Sequence, residues 1–266
     1  IKKNRGVIYI ESLQNDRIKK LVHWLNKPAL RKRDQVFLVE GEREITRAIR
    51  SGYNLRDLFL SEESELINVF PVKNPIICSK EVFAKLVIRR GTVKSLAVFF
   101  RPENGLTDLK LSKNPFLLII DGIEKPGNIG ALMRTANAVA VDAVVFSSLK
   151  CDPLSSHSIR NSLGGIFNTP WFESNSSDVQ KFLISNNLKC YLMDPNGKDL
   201  SLDTDLGGPC AIVLGSEDKG LGENWENNLQ KLKIPMNGIV DSLNVSVAGA
   251  VMLYEVLRQR RLKKLL

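Results

Sequence analysis

The sequence predicts an α/β protein: a C-terminal parallel sheet covered by helices, preceded by a small mixed α/β domain. Three observations carry this. Beyond residue 115 the strand candidates are unbroken apolar runs such as Phe116–Ile120 and Ala211–Leu214, the pattern of strands buried on both faces. Helical periodicities lie between these runs, so strand and helix alternate. Charge divides the 266 residues as well: up to residue 105 there are 21 Lys+Arg against 12 Asp+Glu, and beyond it 17 of each.

In the first part, Ile18, Leu21, Val22 and Leu25 fall at helical spacing, with Arg17, Lys19, Lys20 and Lys27 around that stripe. Arg31-Lys32-Arg33 precedes an apolar strand, Val36–Val39. Glu42–Ile49 reads as a helix stopped by Ser51-Gly52. Leu58–Leu60 and Pro75–Cys78 read as short strands, and Ser95–Phe100 as the closing one. Turn residues at Arg101–Gly105 and Lys113–Pro115 mark a linker. The expected domains are therefore residues 1–105 and 115–266, joined by 106–114. In the second, strands are expected at Phe116–Ile120, Ala143–Phe146, Cys190–Met193, Ala211–Leu214 and Lys231–Ile234. Helices are expected at Ile129–Val139, Asp178–Ser185 and Val245–Arg260, with a shorter one near Arg160–Leu163.

Composition narrows the function. Hydrophobic residues make up 43% and charged residues 25%, ordinary for a soluble globular chain. No apolar run has the length of a membrane span and no signal peptide is seen, so a cytoplasmic protein is expected. Cys78, Cys151, Cys190 and Cys210 are scattered without a CxxC pair, which speaks against a disulfide framework or a zinc site and for a reducing cytosol. His23 and His157 are the only histidines; no metal is expected. The net charge of +9 sits entirely in the first 105 residues. That suits polyanion binding by the N-terminal domain, and it suits a solvated basic surface equally.

Three glycine-containing loops leave strand ends, where parallel sheets bind ligands. In Asp121–Arg134, Gly127 and Gly130 permit a tight turn before a helix, Asn128 stands at a cap or contact position, and Arg134 lies about a turn and a half further on. Neither GxGxxG nor GxxxxGK[ST] is present, so a dinucleotide or Walker site is a weak reading. In Leu214–Leu221, Gly215 and Gly220 suggest close backbone approach, with Glu217 between them. In Ile234–Ala248 a short strand runs through Asp241-Ser242-Leu243-Asn244 into an apolar helix, presenting free N–H groups and small polar side chains. A single N-cap would not need Ser242, Asn244 and Ser246 together.

Asn128-Ile-Gly-Ala-Leu-Met-Arg-Thr-Ala136, Leu214-Gly-Ser-Glu217 with Gly220, and Ile234-Pro-Met236 with Ser242-Leu-Asn-Val-Ser246 resemble, in order and spacing, the three motifs of the SpoU (TrmH) family. These are RNA ribose 2′-O-methyltransferases of the SPOUT superfamily. The likeness covers roughly residues 115–262. Ser12-Leu13, Ile18-Lys19 and Phe37–Gly41 resemble the RNA substrate-binding domain that often precedes this catalytic domain, a ribosomal-protein-like fold. One departure is Ala140, where family members often carry glycine after the first motif's helix; a slightly altered turn is expected there.

The resemblance implies a C-terminal segment threaded into a deep trefoil knot and a homodimer formed through the helix at Val245–Arg260. It implies that S-adenosylmethionine is held by Leu214, Gly215, Gly220, Ile234, Met236 and Leu243. Arg134 corresponds to the catalytic arginine, with Asn128, Glu217, Ser242 and Asn244 as the other motif side chains. An arginine pKa of roughly 12.5 or more sits awkwardly with a general base, so two roles stay open: a late proton acceptor, or a charged clamp on phosphate and developing alkoxide. Ser162-Leu-Gly164 is similar to a further segment lining the site. Candidate RNA contacts are Arg17, Lys19, Lys20, Arg31, Lys32, Arg33 and Arg43. 23S rRNA is the expected substrate; tRNA is the alternative, followed by a non-catalytic RNA binder and by a nucleotide-dependent enzyme acting on small molecules.

Overall fold

The computed structural model describes residues 7–66, 69, 70, 72, 74–89, 91–200, 204–216, 220, 221, 225 and 229–265. They form two compact units: the chain up to Glu103 with Leu154–Arg160, and Asn104–Pro153 with Asn161–Leu266.

The first unit runs β1 (Ile8–Ile10), α1 (Asp16–Asn26), α2 (Pro28–Arg33), β2 (Val36–Glu40), α3 (Glu42–Arg50), β3 (Leu55–Ser61), β4 (Ile76–Cys78), α4 (Lys80–Leu86) and β5 (Ser95–Phe100). The sheet order is β1-β4-β3-β5-β2. β4 is parallel to β1 and β3, while β5 is antiparallel to β3 and β2. Asn15 opens α1 by accepting the Arg17 N–H at 3.0 Å. The helix buries Ile18, Leu21 and Trp24, and Val22 and Leu25 lie partly buried against the same core. The sequence reading missed β1, α2 and α4. β1 has three residues, too few for a period. α2 is a six-residue helix begun by a proline, and α4 depends on its cap, where Ser79 Oγ accepts the Val82 N–H at 3.3 Å.

The second unit contains β6 (Phe116–Asp121), α5 (Pro126–Ala138), β7 (Ala143–Ser147), the end of α6 (Ser156–Ser162), α7 (Gly165–Asn168), β8 (Trp171–Ser174), α8 (Ser176–Ser185), β9 (Lys189–Asp199), β10 (Cys210–Leu214), β11 (Gln230–Lys233) and α9 (Val245–Leu265). The six strands are all parallel, in the order β11-β9-β10-β6-β7-β8. Leu117, Ile119, Val145, Val179, Leu183 and Val213 belong to its core. β8 escaped the sequence reading because it is an edge strand with only Trp171 buried, so it has no apolar run.

At the carboxyl ends of β6 and β7 a polar cluster, buried except at Ser148, fixes the start of α8. Ser176 Oγ donates to Asp121 Oδ1 at 2.9 Å and lies 3.0 and 2.9 Å from the hydroxyls of Ser147 and Ser148. Every member is hydrogen-bonded, as burial demands.

Helix α9 is fastened to the sheet along its length. Gly249 faces α5 and β10 so closely that a Cβ would stand 2.5 Å from Leu132 Cδ2 and 2.8 Å from Leu214 Cδ1. Towards its other end Arg260 Nη1 donates to the Asn114 carbonyl, and Nη2 donates to those of Pro115 and Gly208, each at 2.8 Å. Its guanidinium lies 5.0 Å over the Phe116 ring, a cation–π arrangement.

Candidate active site

The β6–α5 loop turns at Gly122, with φ +66°. The sequence predicts that turn at Gly127 and Gly130, but both lie inside α5. Pro126 occupies the first helical positions, and its fixed φ starts the helix earlier than the apolar period suggests. Asn128 is therefore in the first turn, 9% exposed, with its backbone N–H on the Lys125 carbonyl at 3.1 Å. Arg134 stands on the exposed side of α5. Beneath it, Gly165 presses on the helix: a Cβ there would be 3.1 Å from the Met133 carbonyl oxygen and 3.3 Å from Arg134 Cα. Leu163 and Gly164 lead into this contact with φ +50° and +82°. Past the end of α5, Ala140 takes φ +54°, a left-handed turn residue without glycine's freedom.

After β10 the chain folds back on itself. Ser216 N–H donates to the Gly220 carbonyl at 2.8 Å and Gly220 N–H returns to Ser216 at 3.0 Å. Gly220 has φ +64°. Any Cβ at Gly215 would lie 2.6–2.7 Å from the Gly220 oxygen and Leu221 nitrogen, so only glycine fits. Glu217 lies outside the described residues.

After β11 the chain reaches Asn244, which caps α9. Its Oδ1 accepts from the backbone N–H of Ser246 at 2.9 Å and from Ser246 Oγ at 2.6 Å. Its Nδ2 donates to Asn128 Oδ1 at 3.2 Å, so one side chain begins α9 and ties it to α5. Ser242 Oγ donates to Asp241 Oδ1 at 3.2 Å within the loop.

These loops enclose a cleft of ≈ 1020 Å³ at the carboxyl ends of the strands. Leu214, Gly215, Gly220, Ile234, Met236 and Leu243 all line it, together with Ser242 and Asn244. Arg134 and Asn128 are not on its walls; Asn128 meets it through Asn244. The sequence reading missed Lys125 and the stretch Leu192–Asn196, which also line the cleft. The available signal was Pro195-Asn196-Gly197, turn residues at the end of a strand pattern. Within that stretch Asp194 pairs with Lys231 at 3.0 Å. Burial alone would push its carboxyl up; the Asn196 N–H and Lys231 outweigh that and hold it below the usual carboxylate range.

In the first unit, Arg17, Lys19, Lys20, Lys32, Arg33 and Arg43 are exposed. Lys20 Nζ lies 4.9 Å over the Trp24 ring, and Arg33 and Arg43 pair with Asp34 and Glu44 at 2.8 and 2.6 Å. Arg31 differs from expectation. It is 7% exposed, and its Nη1 donates to the Trp24 carbonyl at 2.6 Å, closing the corner between α1 and α2. A guanidinium spent on backbone carbonyls in the interior is not presented to a phosphate.

A parallel sheet whose strand ends open on such a cleft is the arrangement in which α/β proteins bind small ligands. Comparison with known proteins makes this specific. Residues 115–254 match the SpoU rRNA Methylase family and residues 15–97 the MRM3-like substrate binding domain. The chain belongs to the SpoU methylase family. It is 26% identical over 253 residues to the 23S rRNA (guanosine(2553)-2′-O)-methyltransferase RlmP of Bacillus subtilis, covering 93% of this chain and 98% of that one. It is 34% identical over 162 residues to the 23S rRNA (guanosine-2′-O-)-methyltransferase RlmB of Haemophilus influenzae, covering 59% and 66%. Among solved structures, an RNA 2′-O ribose methyltransferase superposes with a TM-score of 0.82 at 34% identity, covering 96% of this chain and all of that one. The SpoU methyltransferase AviRb from Streptomyces viridochromogenes, in complex with AdoMet, gives 0.85 at 25% identity, covering 93% and 99%.

Proposed function

We infer that this protein transfers a methyl group from S-adenosylmethionine to a ribose 2′-hydroxyl of RNA, with 23S rRNA as substrate. The observation that carries this is the convergence of three separate loops on one cleft, joined to the helix of Arg134 by the Asn128–Asn244 bond. The walls suit the cofactor: Leu214, Ile234, Met236 and Leu243 offer apolar surface, and backbone groups at Gly215 and Gly220 are approachable because no Cβ covers them. When bound, the cofactor supplies the electrophilic methyl group. The residues of this chain orient and stabilise. Arg134, exposed on the helix that Asn128 ties to the cleft residue Asn244, is suited to clamp a target phosphate and to stabilise the alkoxide that develops as the hydroxyl loses its proton. Proton acceptance by Arg134 is the alternative role. Asn128 and Asn244 hold that helix against the third loop, and Glu217 and Ser242 complete the motif set.

The first unit presents the RNA. We assign phosphate contacts to Arg17, Lys19, Lys20, Lys32, Arg33 and Arg43, the exposed cations of its N-terminal half. The choice of 23S rRNA over tRNA is supported by the names of the relatives above and by the matched substrate-binding domain. A homodimer through α9 is supported by Val247, Val251 and Tyr254, which are exposed at helical spacing on that helix. The knotted threading implied by family membership fits a chain that leaves edge strand β11 and returns to pack on α5 and β10. No helix among the described residues is long and apolar enough to cross a membrane; the rRNA substrate named for the relatives supports a cytoplasmic location.

The test is transfer of labelled methyl from S-adenosylmethionine to unmodified large-subunit rRNA and to tRNA, side by side, with 2′-O-methyl mapping. One labelled rRNA ribose is expected. Labelling of tRNA alone would move the substrate, and cofactor binding without labelling of any RNA would favour a non-catalytic binder.

A further inference from the structure

Strand β5 sends alternate side chains to the face covered by α1. Leu96 and Val98 join the core there with Trp24. Phe100 is the next residue of that row, and it emerges 48% exposed. Its backbone is pinned on both sides: the Phe100 N–H donates to the Asn54 carbonyl and the Arg101 N–H to that of Gln35, each at 2.9 Å. Beside it, β3 carries a bulge. Leu55 stands opposite Phe99 but Asp57 opposite Val98, so Arg56 is the extra residue, and a bulge re-aims a side chain. The Arg56 guanidinium lies 4.9 Å from the centre of the Trp24 ring and 5.8 Å from that of Phe100. One planar cation therefore joins a buried ring to an exposed one.

The corner is basic as well as aromatic. Lys20 Nζ lies 4.9 Å over Trp24. Trp24 Nε1 donates to Asp34 Oδ2 at 2.8 Å, and Arg33 Nε donates to the other oxygen at 2.8 Å. Lys20 and Arg33 are exposed, and Arg56, paired with Asp57 at 3.3 Å, keeps 31% of its side chain accessible. Asp34 and Asp57 hold two of these cations in place. The surplus of the unit, 21 Lys+Arg against 12 Asp+Glu in the first 105 residues, is what a polyanion complements. Core packing accounts for Trp24, 4% exposed, but not for Phe100. A core row can end on a polar residue, and a phenyl ring left in water forgoes the stabilisation of burial. A flat ring continued by a guanidinium matches an unpaired nucleobase, because free bases stack on aromatic rings and on arginine planes. Duplex RNA is read instead by its shape and backbone.

We propose that Phe100, with Arg56 beside it, is a ledge on which an unpaired nucleobase of the RNA substrate stacks, so that this unit selects a single-stranded segment over a duplex. This rests on the RNA substrate inferred above. The experiment is fluorescence anisotropy with the full chain, on a single-stranded RNA with 2-aminopurine in place of its adenines and on a duplex of the same length. Wild type is set against Phe100→Leu, Phe100→Tyr and Arg56→Lys. Phe100→Leu should weaken the single strand about five- to a hundredfold, the scale of one base–aromatic stack, and leave the duplex unchanged. The 2-aminopurine quenching that stacking causes in wild type should be lost. The salt dependence should stay that of wild type, because no phosphate contact is removed. Phe100→Tyr keeps the ring and should bind as wild type does. Arg56→Lys keeps the charge without the plane and should weaken the single strand alone. Unchanged single-strand affinity in Phe100→Leu, or an equal loss for the duplex, would overturn the proposal while leaving the methyltransferase reading intact. Unchanged RNA affinity together with a lower oligomeric mass in that variant would overturn it too, and assign the ring to a contact between copies. Binding of neither RNA by the wild type would remove both the ledge and the RNA reading.

Discussion

Asn244 and Asn128, 116 positions apart, share a hydrogen bond of 3.2 Å from Nδ2 to Oδ1, and the same Asn244 caps α9 through Ser246. The two jobs can be separated. Asn244→Asp keeps an acceptor for the cap but loses the donor to Asn128; Asn244→Ala loses both. Denaturant unfolding should show Asn244→Ala destabilised by about 1–2 kcal/mol and Asn244→Asp by less. Both variants should bind the cofactor more weakly. An Asn244→Asp variant with wild-type affinity would mean that the link to α5 has no part in shaping the cleft.

Arg134 stands outside the cleft walls, so cofactor binding and turnover should respond differently to its removal. Arg134→Ala should leave the dissociation constant for S-adenosylmethionine within about twofold of wild type and lower kcat by about 10²-fold or more, the scale of losing one preorganised stabilising group. Arg134→Lys keeps the charge but not the planar fork and should recover little. Wild-type turnover in Arg134→Lys would show that a point charge suffices.

Ala140 holds φ +54° after α5, a conformation that costs a non-glycine residue roughly 1–2 kcal/mol. Ala140→Gly removes that strain and adds flexibility to the unfolded chain. The expected result is a net stabilisation of about 0.5–1 kcal/mol by denaturant unfolding, with unchanged methyl transfer.

Buried thiols make the alkaline side of the stability profile steep. Burial pushes the Cys78 thiol up to about 12 and the Cys190 thiol up to about 11. Unfolded cysteine ionises near pH 8.5, so above that the unfolded chain releases protons that the folded chain retains. Stability from these groups is complete below pH ~8.5 and is lost as pH rises through the folded values. Cys78→Ala should be less stable than wild type at pH 7.5, from the cavity it leaves, yet lose less further stability between pH 8 and 10. Parallel pH profiles for the two proteins would contradict this.

If the exposed cations of the N-terminal unit contact phosphates, RNA affinity falls steeply with salt. Three to six contacts predict a slope of roughly −2 to −5 in log K against log salt, from about 0.7–0.9 per contact. Charge removal at Lys32 should lower the slope by about one. Removal at Arg31 should lower stability instead, because its guanidinium holds the Trp24 carbonyl. A slope near zero would dismiss the surface as an RNA contact.

Much of the second unit's sheet was legible because parallel strands buried on both faces leave continuous apolar runs, as in Phe116–Ile120 and Ala211–Leu214. Edge strand β8 has one buried residue and left no such trace. The placement of Leu214, Gly215, Gly220, Ile234, Met236 and Leu243 on one cleft followed from motif order rather than from any period in the sequence. The turn at Gly122 was hidden because Pro126 starts α5 before its apolar stripe begins. Arg31 was misread because a basic triplet looks the same whether its first member faces solvent or two backbone carbonyls. The Leu192–Asn196 wall was missed because Asp194 is held by Lys231 of β11, and an ion pair between strands is a property of two segments at once.

The Arg260 clasp has a consequence for the order in which the site comes into being. The cleft draws on residues from Lys125 to Ala248, and the helix carrying the last of them is held at Asn114, Pro115 and Gly208 by Arg260, with Gln259 bonded to Thr204 and Leu206 beside it. A chain emerging from synthesis shows its β6 and β10 ends long before the residue that anchors α9 beneath them. A chain that still lacks α9 has neither this clasp nor the Asn244–Asn128 bond, so the third loop of the cleft has both of its anchors only once the last helix is in place.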